Sequence, residues 1–124
     1  MHSEDGDMKE EYMDKNLEDI LATARTQAQE GKTFGILETI DNAKHYLPAL
    51  PDDKKQKVET ELQALEITAY KNAITRYLAN AQKLAEAKQP VYAEAYLYDV
   101  ERYATRIRFD VTEEVAKIRK QLKT

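Results

Sequence analysis

The longest run of helix-favouring sequence extends from Asp52 to Lys88, where 37 residues contain neither glycine nor proline. The run is rich in Ala, Leu, Glu, Lys and Gln, which lose little entropy in a helix. A single helix of this length would span about 55 Å. Its apolar positions form two stripes roughly 100° apart around the axis, so we predict a long helix that packs on different neighbours at its two ends. A kink or break near Ile67–Asn72 is the alternative. The stripes are Val58, Leu62, Leu65 and Ala69, then Tyr70, Ile74, Tyr77, Ala81 and Leu84.

Two helices are predicted before this run. Apolar residues recur at spacings of three and four from about Glu10 to Glu30, and Gly31 follows as a left-handed cap. A second helix is predicted from about Thr33 to Leu47, and Pro48 and Pro51 end it. The connection between the two helices is so short that they must pack antiparallel. The positions expected to be buried are Met13, Leu17, Ile20, Leu21, Ala24 and Ala28, then Ile36, Leu37, Ile40, Ala43 and Leu47.

Two further helices are predicted after the long run. Pro90 is favoured at a first helical position, and the helix extends to about Ile107. The segment Asp110-Val-Thr-Glu113 matches a capping box, which predicts a last helix from Val111 to Lys123. The candidates for burial are Val91, Ala95 or Tyr96, Leu97, Val100, Tyr103 and Ile107, then Val115, Ile118 and Leu122.

A shift of 57 residues places similar residues over one another. Two hairpin turns, two aspartates at helix starts and the apolar stripes coincide at this one offset, which indicates a unit used twice. We therefore predict an all-α fold, an antiparallel bundle of four or five helices built from two tandem hairpins that share a long central helix. The units span about 10–66 and 67–124, after a disordered acidic tail of residues 1–9. The identical pairs are Leu21/Leu78, Ala22/Ala79, Ala24/Ala81, Ala28/Ala85, Tyr46/Tyr103, Asp53/Asp110, Val58/Val115 and Leu65/Leu122.

The hairpins carry two resemblances to known families. The stretch from Gln29 to Pro48, with Gly31 at the turn and Ala43 in the second helix, is similar to part of a tetratricopeptide repeat. It departs from that family in its period, 57 rather than about 34 residues, and in lacking the large aromatic residue of the first helix. The segments Ala87-Lys88-Gln89 and Tyr92-Ala93-Glu94-Ala95 resemble the hairpins of the YfdX family of small, mostly helical bacterial proteins. That resemblance implies a stress-associated protein, leaves export open, and transfers no catalytic residue.

The composition excludes several classes of function. The chain has no cysteine, so disulfides, thiolate metal sites and cysteine nucleophiles are excluded. No apolar run approaches the roughly 20 residues that a membrane span needs, and we expect a soluble protein, cytoplasmic or exported with its signal peptide already removed. Residues 1–62 have a net charge of −7 and residues 63–124 of +3. The positive charges of the second half either lie on solvated helix faces or form a basic surface for an acidic partner. Nucleic acid is not expected, because the pI is near 5.3 and no binding motif accompanies the charges.

Residues with catalytic chemistry do not form a recognisable set. His45 follows Asp41 by one helical turn, but a helical di-iron site also needs Glu-x-x-His motifs, which this chain lacks. Neither glycine-rich phosphate-loop pattern is present, and the only serine is Ser3. We therefore predict that the protein is not an enzyme and that it has no cofactor and no metal site.

The tyrosines are the one unusual feature of the composition. Six of the eight lie between Tyr70 and Tyr103, and tyrosine offers a large contact area at low entropic cost. The function predicted from them is a non-enzymatic helical module for binding a protein partner or for homo-oligomer assembly. A small-molecule-binding bundle with a tyrosine-lined cleft between the third and fourth helices is the alternative, and rings that only fill the core edge are the simplest reading. The candidate binding surface is Tyr70, Tyr77, Tyr92, Tyr96 and Tyr103, with Tyr98 pointing elsewhere.

Overall fold

The computed structural model describes the backbone of residues 2–123 and the side chains of residues 14–123. Within this range the chain forms α-helices and one short 3-10 turn, and it contains no strand. The predicted all-α bundle is therefore confirmed. The elements are α1 His2–Gln29, α2 Phe34–Lys44, the 3-10 turn Leu47–Ala49, α3 Asp52–Glu86, α4 Pro90–Ile107 and α5 Thr112–Leu122.

The chain divides into two compact units, residues 1–69 and residues 70–124. Helix α3 contributes residues 52–69 to the first unit and residues 70–86 to the second. It is a single helical element that includes Ile67–Asn72, the stretch for which a kink or break was the alternative. The division between the units falls inside the same stretch, where the apolar residues of α3 pass from one stripe to the other.

The first unit has an apolar core to which α1, α2 and α3 contribute. In α1 the buried residues recur at spacings of four and three, as expected for one helix face. Ion pairs at the core edge join Arg25 to Glu61 at 2.6 Å and Lys54 to Asp14 at 2.7 Å. Because these side chains are partly exposed, the pairs add little to the stability that burial provides. The buried residues are Leu17, Leu21, Ala24, Ile36, Ile40, Ala43, Leu62 and Ala69.

The second unit has its own core between α3, α4 and α5. The buried side of α4 presents Ala93, Leu97, Val100 and Ala104, at spacings of four, three and four. The predicted burial of Val91 is wrong, because Val91 lies on the opposite side of the helix and is exposed. The cluster of buried residues is Ile74, Ala81, Leu97, Val100, Ala104, Val111, Val115 and Ile118.

Helix α1 begins at His2, earlier than the predicted start near Glu10. The helix therefore includes residues 2–9, most of the segment that the sequence predicts to be a disordered acidic tail. Gly6 is the one glycine within α1. A single glycine inside a helix costs only about 1 kcal/mol relative to alanine, so it does not exclude a helical backbone. Met13, predicted to join the buried stripe, is among the side chains outside the described range.

Helices α1 and α3 end in the same way, 57 residues apart. Gly31 has a φ of 74° and Lys88 a φ of 58°, both in the left-handed region. After α1, Gly31 donates its N–H to the Ala28 carbonyl and Lys32 donates to the Gln27 carbonyl; after α3, Lys88 and Gln89 donate to Ala85 and Leu84. Both ends are therefore Schellman motifs. The predicted left-handed cap at Gly31 is confirmed, and a lysine occupies the matching position at the second turn.

Two other helix ends differ from the prediction by a few residues. Helix α2 ends at Lys44 rather than Leu47, and the chain continues as the 3-10 turn. Pro48 has no N–H to donate to the Lys44 carbonyl, and a proline ring clashes with the carbonyl four residues before it, which explains the early end. Helix α5 begins at Thr112, and Asp110 Oδ1 accepts a hydrogen bond from the Thr112 N–H at 3.0 Å. This bond lowers the pKa of Asp110, as expected for a carboxylate at a helix start.

The two left-handed positions give opposite expectations for substitution. Lys88→Gly should raise the free energy of unfolding by about 0.5 kcal/mol, because glycine adopts positive φ without a Cβ penalty. Gly31→Lys should lower it by about 1 kcal/mol for the same reason. Urea denaturation measures both.

The control is Lys83→Gly, the same substitution inside the last turn of α3, which should cost about 1 kcal/mol. Equal effects of Lys88→Gly and Lys83→Gly would contradict the assignment of Lys88 to a left-handed cap.

Candidate functional site

Four tyrosines of the second unit form a continuous ring cluster. Tyr77 contacts Tyr96 edge-on with ring centroids 5.0 Å apart, and it contacts Tyr103 at 5.8 Å. Tyr103 in turn contacts Tyr70 at 5.4 Å. These separations are typical of favourable aromatic pairs. We call Tyr70, Tyr77, Tyr96 and Tyr103 the tyrosine cluster.

Helical spacing places these rings together. Tyr70 and Tyr77 are seven residues apart on α3, and Tyr96 and Tyr103 are seven residues apart on α4. Seven residues make almost two turns, so each helix presents its pair of rings on one side. Where those sides of α3 and α4 meet, the rings pack against one another. The cluster therefore follows from the sequence pattern together with the packing of two helices.

The tyrosine cluster is largely protected from solvent. Tyr70 is 8% exposed, and the other three rings are half-buried. Burial raises the pKa of the Tyr77 hydroxyl, and the neighbouring Tyr103 and Asp99 raise it further. Rings in mutual contact fill the space between α3 and α4 at this level. The cluster has the burial expected of a core edge, the simplest of the readings that the sequence left open.

Two arginines stack on the tyrosine cluster. The guanidinium carbon of Arg106 lies 5.3 Å from the centroid of the Tyr70 ring, and that of Arg102 lies 5.5 Å from the Tyr103 ring. Arg102 also forms an ion pair with Asp99, at 3.4 Å. Cation–π contacts of exposed side chains contribute about 0.5–1 kcal/mol each. They fix positive charge beside the aromatic surface at the C-terminal end of α4.

Tyr92, the fifth predicted site residue, lies apart from the tyrosine cluster. It is 63% exposed, and on the same helix Val91 is 77% and Tyr98 65% exposed. Ala95, between them in sequence, is also exposed. We call Val91, Tyr92, Ala95 and Tyr98 the α4 outer face. Tyr98 is not in the predicted binding surface, because it does not share a side of α4 with Tyr96 and Tyr103. Its spacing of seven residues from Val91 and three from Ala95 indicates that these three residues share another side.

A polar cluster joins α4 to α5 on another side of α4. Arg119 Nε donates to both carboxylate oxygens of Glu94, at 3.1 and 3.3 Å, and Arg119 Nη2 donates to Glu101 at 2.5 Å. These charged partners raise the pKa of Arg119. A guanidinium held by two carboxylates orients α5 against α4. It is a structural contact between the two helices.

Surface clefts occur in both units among the described residues. One of about 520 Å³ lies between α4 and α5 and is lined in part by Phe109, Val111, Val115 and Arg119. One of about 320 Å³ lies against Leu17, Leu21 and Arg25, and one of about 370 Å³ against His45 and Tyr46. None of the three is lined by a member of the tyrosine cluster. The 520 Å³ cleft is therefore the place in the second unit to consider for a small ligand.

Metal-ligating residues are dispersed. Among the side chains of residues 14–123, no three His, Asp or Glu residues come close enough together to hold a metal ion. Asp41 and His45 are both exposed on α2. In the same part of the chain, no helix is both long and apolar enough to cross a membrane.

The different surroundings of the tyrosines predict different costs of truncation. Tyr103→Ala should lower the free energy of unfolding by about 2 kcal/mol, because it removes a half-buried ring that contacts two others. Tyr92→Ala should change it by less than about 0.5 kcal/mol. Urea denaturation monitored by circular dichroism measures both. Similar costs for the two variants would show that Tyr103 is not part of a packed cluster.

The raised pKa of Tyr77 predicts a loss of stability in alkali. Folded Tyr77 keeps its proton at pH values where an unfolded tyrosine, with a pKa near 10, has lost it. The unfolded state then binds fewer protons, so the free energy of unfolding falls as the pH rises above about 10. Tyr77→Phe has no proton to lose and should show a smaller fall between about pH 9 and pH 11.

Tyr98→Phe is the matched control for this pH dependence, because Tyr98 is exposed. Its fall in stability over the same interval should equal that of the unsubstituted protein. Equal behaviour of Tyr77→Phe and Tyr98→Phe would contradict a special environment at Tyr77.

Comparison of this chain with protein-family models, with curated proteins and with solved structures finds no match. The resemblances to tetratricopeptide repeats and to the YfdX family therefore stay predictions that rest on the residues quoted for them. The function has to be argued from the geometry of the two units.

Proposed function

We propose that this protein is a non-enzymatic helical module that binds another protein chain, or a second copy of itself, through the α4 outer face. The observation that carries this proposal is the exposure of Val91, Tyr92 and Tyr98 on one helix. A single exposed apolar side chain is ordinary. Three large ones grouped around an exposed alanine form a patch, and such patches are typical of protein interaction sites.

The shape of the α4 outer face suits a partner helix or loop. Val91, Ala95 and Tyr98 are spaced by four and three residues, so they form one line along α4, and Tyr92 lies beside it. This line is opposite the buried side, which presents Leu97 to the core. Ala95 lets a partner backbone approach closely, while Tyr92 and Tyr98 offer large rings with hydroxyl groups that can orient the contact.

The internal repeat supports the proposal. At the offset of 57 residues, buried positions of the two units coincide, among them Leu17/Ile74, Ala24/Ala81, Ile40/Leu97 and Ala43/Val100. The Schellman turns at Gly31 and Lys88 coincide as well. We therefore interpret the units as two copies of one hairpin with a trailing helix.

Under this alignment the α4 outer face is the exception to the similarity. Its equivalents in α2 are Phe34, Gly35, Glu38 and Asp41, and three of these four are polar or lack a side chain. A hairpin of this kind therefore packs without tyrosines on its outer side. Folding of the second unit does not explain Tyr92 and Tyr98, whereas binding does.

The non-enzymatic part of the proposal rests on the sequence. The chain has no cysteine, its one serine is Ser3, and no Glu-x-x-His motif is present. The alternative, a small-molecule binder, is favoured by the 520 Å³ cleft between α4 and α5, where apolar Val111 and Val115 lie near Arg119. A cleft of this size is in the range of ligand sites.

Removal of the two exposed rings tests the proposed function. The wild-type protein should associate as its concentration rises from about 5 µM to about 500 µM, and Tyr92→Ser/Tyr98→Ser should weaken this association at least tenfold. Sedimentation velocity measures the association, and native mass spectrometry reports any bound small molecule. Urea denaturation should show that the variant is as stable as wild type.

The matched control is Phe109→Ser, which removes an exposed ring outside the α4 outer face. It should leave the contribution of Tyr92 and Tyr98 to association intact. Association that survives in the double tyrosine variant would contradict the proposal, and a monomer with added mass would favour the small-molecule alternative.

A further inference from the structure

The two units differ strongly in charge. Residues 1–69 contain 16 Asp/Glu and 8 Lys/Arg, for a net charge of −8, whereas residues 70–124 contain 7 and 11, for a net charge of +4. Complementary surfaces on one chain can attract a second copy although each copy is negative overall. The positions of the exposed charges decide which surfaces can meet.

Two exposed acids, Glu38 and Asp41, lie on one side of α2. Phe34, Glu38, Asp41 and His45 follow one another at spacings of four, three and four, and all are exposed. Among the described side chains, Glu38 and Asp41 form no ion pair. Their carboxylates are about 4.5 Å apart along the helix axis, close to one turn. We call these four residues the α2 outer face.

An apolar segment follows the acids in chain order. Beyond the end of α2, residues 48–51 comprise the last two residues of the 3-10 turn and the two residues after it, and three of their side chains are exposed. After Phe34, the first hairpin therefore presents the acidic pair, and the apolar segment follows about seven to ten residues later. The exposed members of the segment are Pro48, Ala49 and Pro51.

Helix α4 presents the opposite order. Its N-terminal half exposes the apolar residues Val91, Tyr92 and Ala95, and its C-terminal half exposes Arg102 and Arg106. Arg102 follows Ala95 by seven residues. The two guanidinium groups are about one turn apart, and stacking on the tyrosine cluster holds them in place. Arg102 also pairs with Asp99, but a guanidinium has five N–H donors at the edge of its plane, so it can donate to a further carboxylate.

We propose that the α2 outer face of one copy docks antiparallel against α4 of a second copy. In this direction Asp41 and Glu38 meet Arg102 and Arg106, and the apolar segment 48–51 meets the N-terminal part of the α4 outer face. A parallel arrangement would place the acids against Val91 and Ala95 instead. Matching of two charged and two apolar stretches selects the antiparallel one.

A second copy fits this surface better than a generic acidic partner. The chain itself supplies the acidic pair, the apolar segment and the spacing between them. The proposal rests on the proposed function, because it names the partner of the α4 outer face. If the charged faces dock, the association depends on the salt concentration and on the sign of the four charges. Aromatic contacts alone would not produce this dependence.

Exchange of the charges tests the proposal in the full-length protein. Glu38→Lys/Asp41→Lys and Arg102→Glu/Arg106→Glu should each weaken self-association at least tenfold, because each brings like charges together. An equimolar mixture of the two variants should associate about as tightly as wild type, since the exchanged charges are complementary again. Native mass spectrometry distinguishes the mixed complex by mass, and sedimentation velocity measures its affinity.

Control variants carry the same changes of charge at positions outside the two faces. Asp19→Lys/Glu59→Lys and Lys117→Glu/Lys123→Glu should associate within about threefold of wild type. Raising the salt from about 50 mM to about 500 mM should weaken wild-type association, because exposed ion pairs are screened. Urea denaturation of each variant confirms that it is folded.

The outcomes separate the two proposals. Loss of association in each charge variant with recovery in the mixture supports antiparallel docking. Loss without recovery, or no effect of either charge variant, overturns it. If Tyr92→Ser/Tyr98→Ser abolishes association but neither charge variant weakens it, only the proposal of antiparallel docking fails. If the tyrosine variant has no effect, the proposed function fails. A wild-type protein that stays monomeric at low salt overturns the second copy as occupant.

Discussion

The structure depends on how α3 divides its apolar side chains between two cores. Leu62 and Ala69 belong to the core of the first unit, and Ile74 and Ala81 belong to that of the second. A helix of 35 residues is not held by propensity alone, because most helical stability in proteins comes from packing of an apolar face. Each half of α3 therefore needs its own neighbours, and each unit forms around the half that supplies its stripe.

In the second unit, α4 makes contacts on three of its sides. Leu97 and Val100 face the core, Tyr96 and Tyr103 join the tyrosine cluster with α3, and Glu94 and Glu101 hold Arg119 of α5. Three sides of the helix therefore have partners within the unit. The fourth side is the α4 outer face, for which the described contacts give none. Its large exposed side chains, Val91, Tyr92 and Tyr98, are not needed for the packing of the unit.

Periodicity in the sequence predicted the helices and most of the core, because spacings of three and four identify a buried side without knowledge of its neighbours. It failed at Val91, where Ala93 and Ala104 define the buried side instead. Alanine is a weak signal, since it is frequent on every side of a helix. The predicted end of α2 differs from the observed one because Pro48 disrupts the α-helical hydrogen bond to Lys44, four residues before it.

The candidate site was only partly predictable. The spacing of seven residues predicts that Tyr70 and Tyr77 share a side of α3 and that Tyr96 and Tyr103 share a side of α4. It does not predict that the two pairs of rings contact each other. That contact depends on how α3 and α4 pack. Tyr92 was grouped with them although it is exposed, and Tyr98 was omitted. The same residue type therefore fills two roles, and position on the helix decides between them.

The polar cluster at Arg119 shows how one unit can differ from the other without loss of packing. Under the proposed offset, Arg119 corresponds to the buried Leu62, and Glu94 and Glu101 correspond to Leu37 and Lys44. An arginine at a core edge is tolerated when carboxylates satisfy it, so the three differences are coupled. Internal contacts explain this set completely. They do not explain Tyr92 and Tyr98 in place of Gly35 and Asp41, and for that reason the α4 outer face is where a binding function is to be sought.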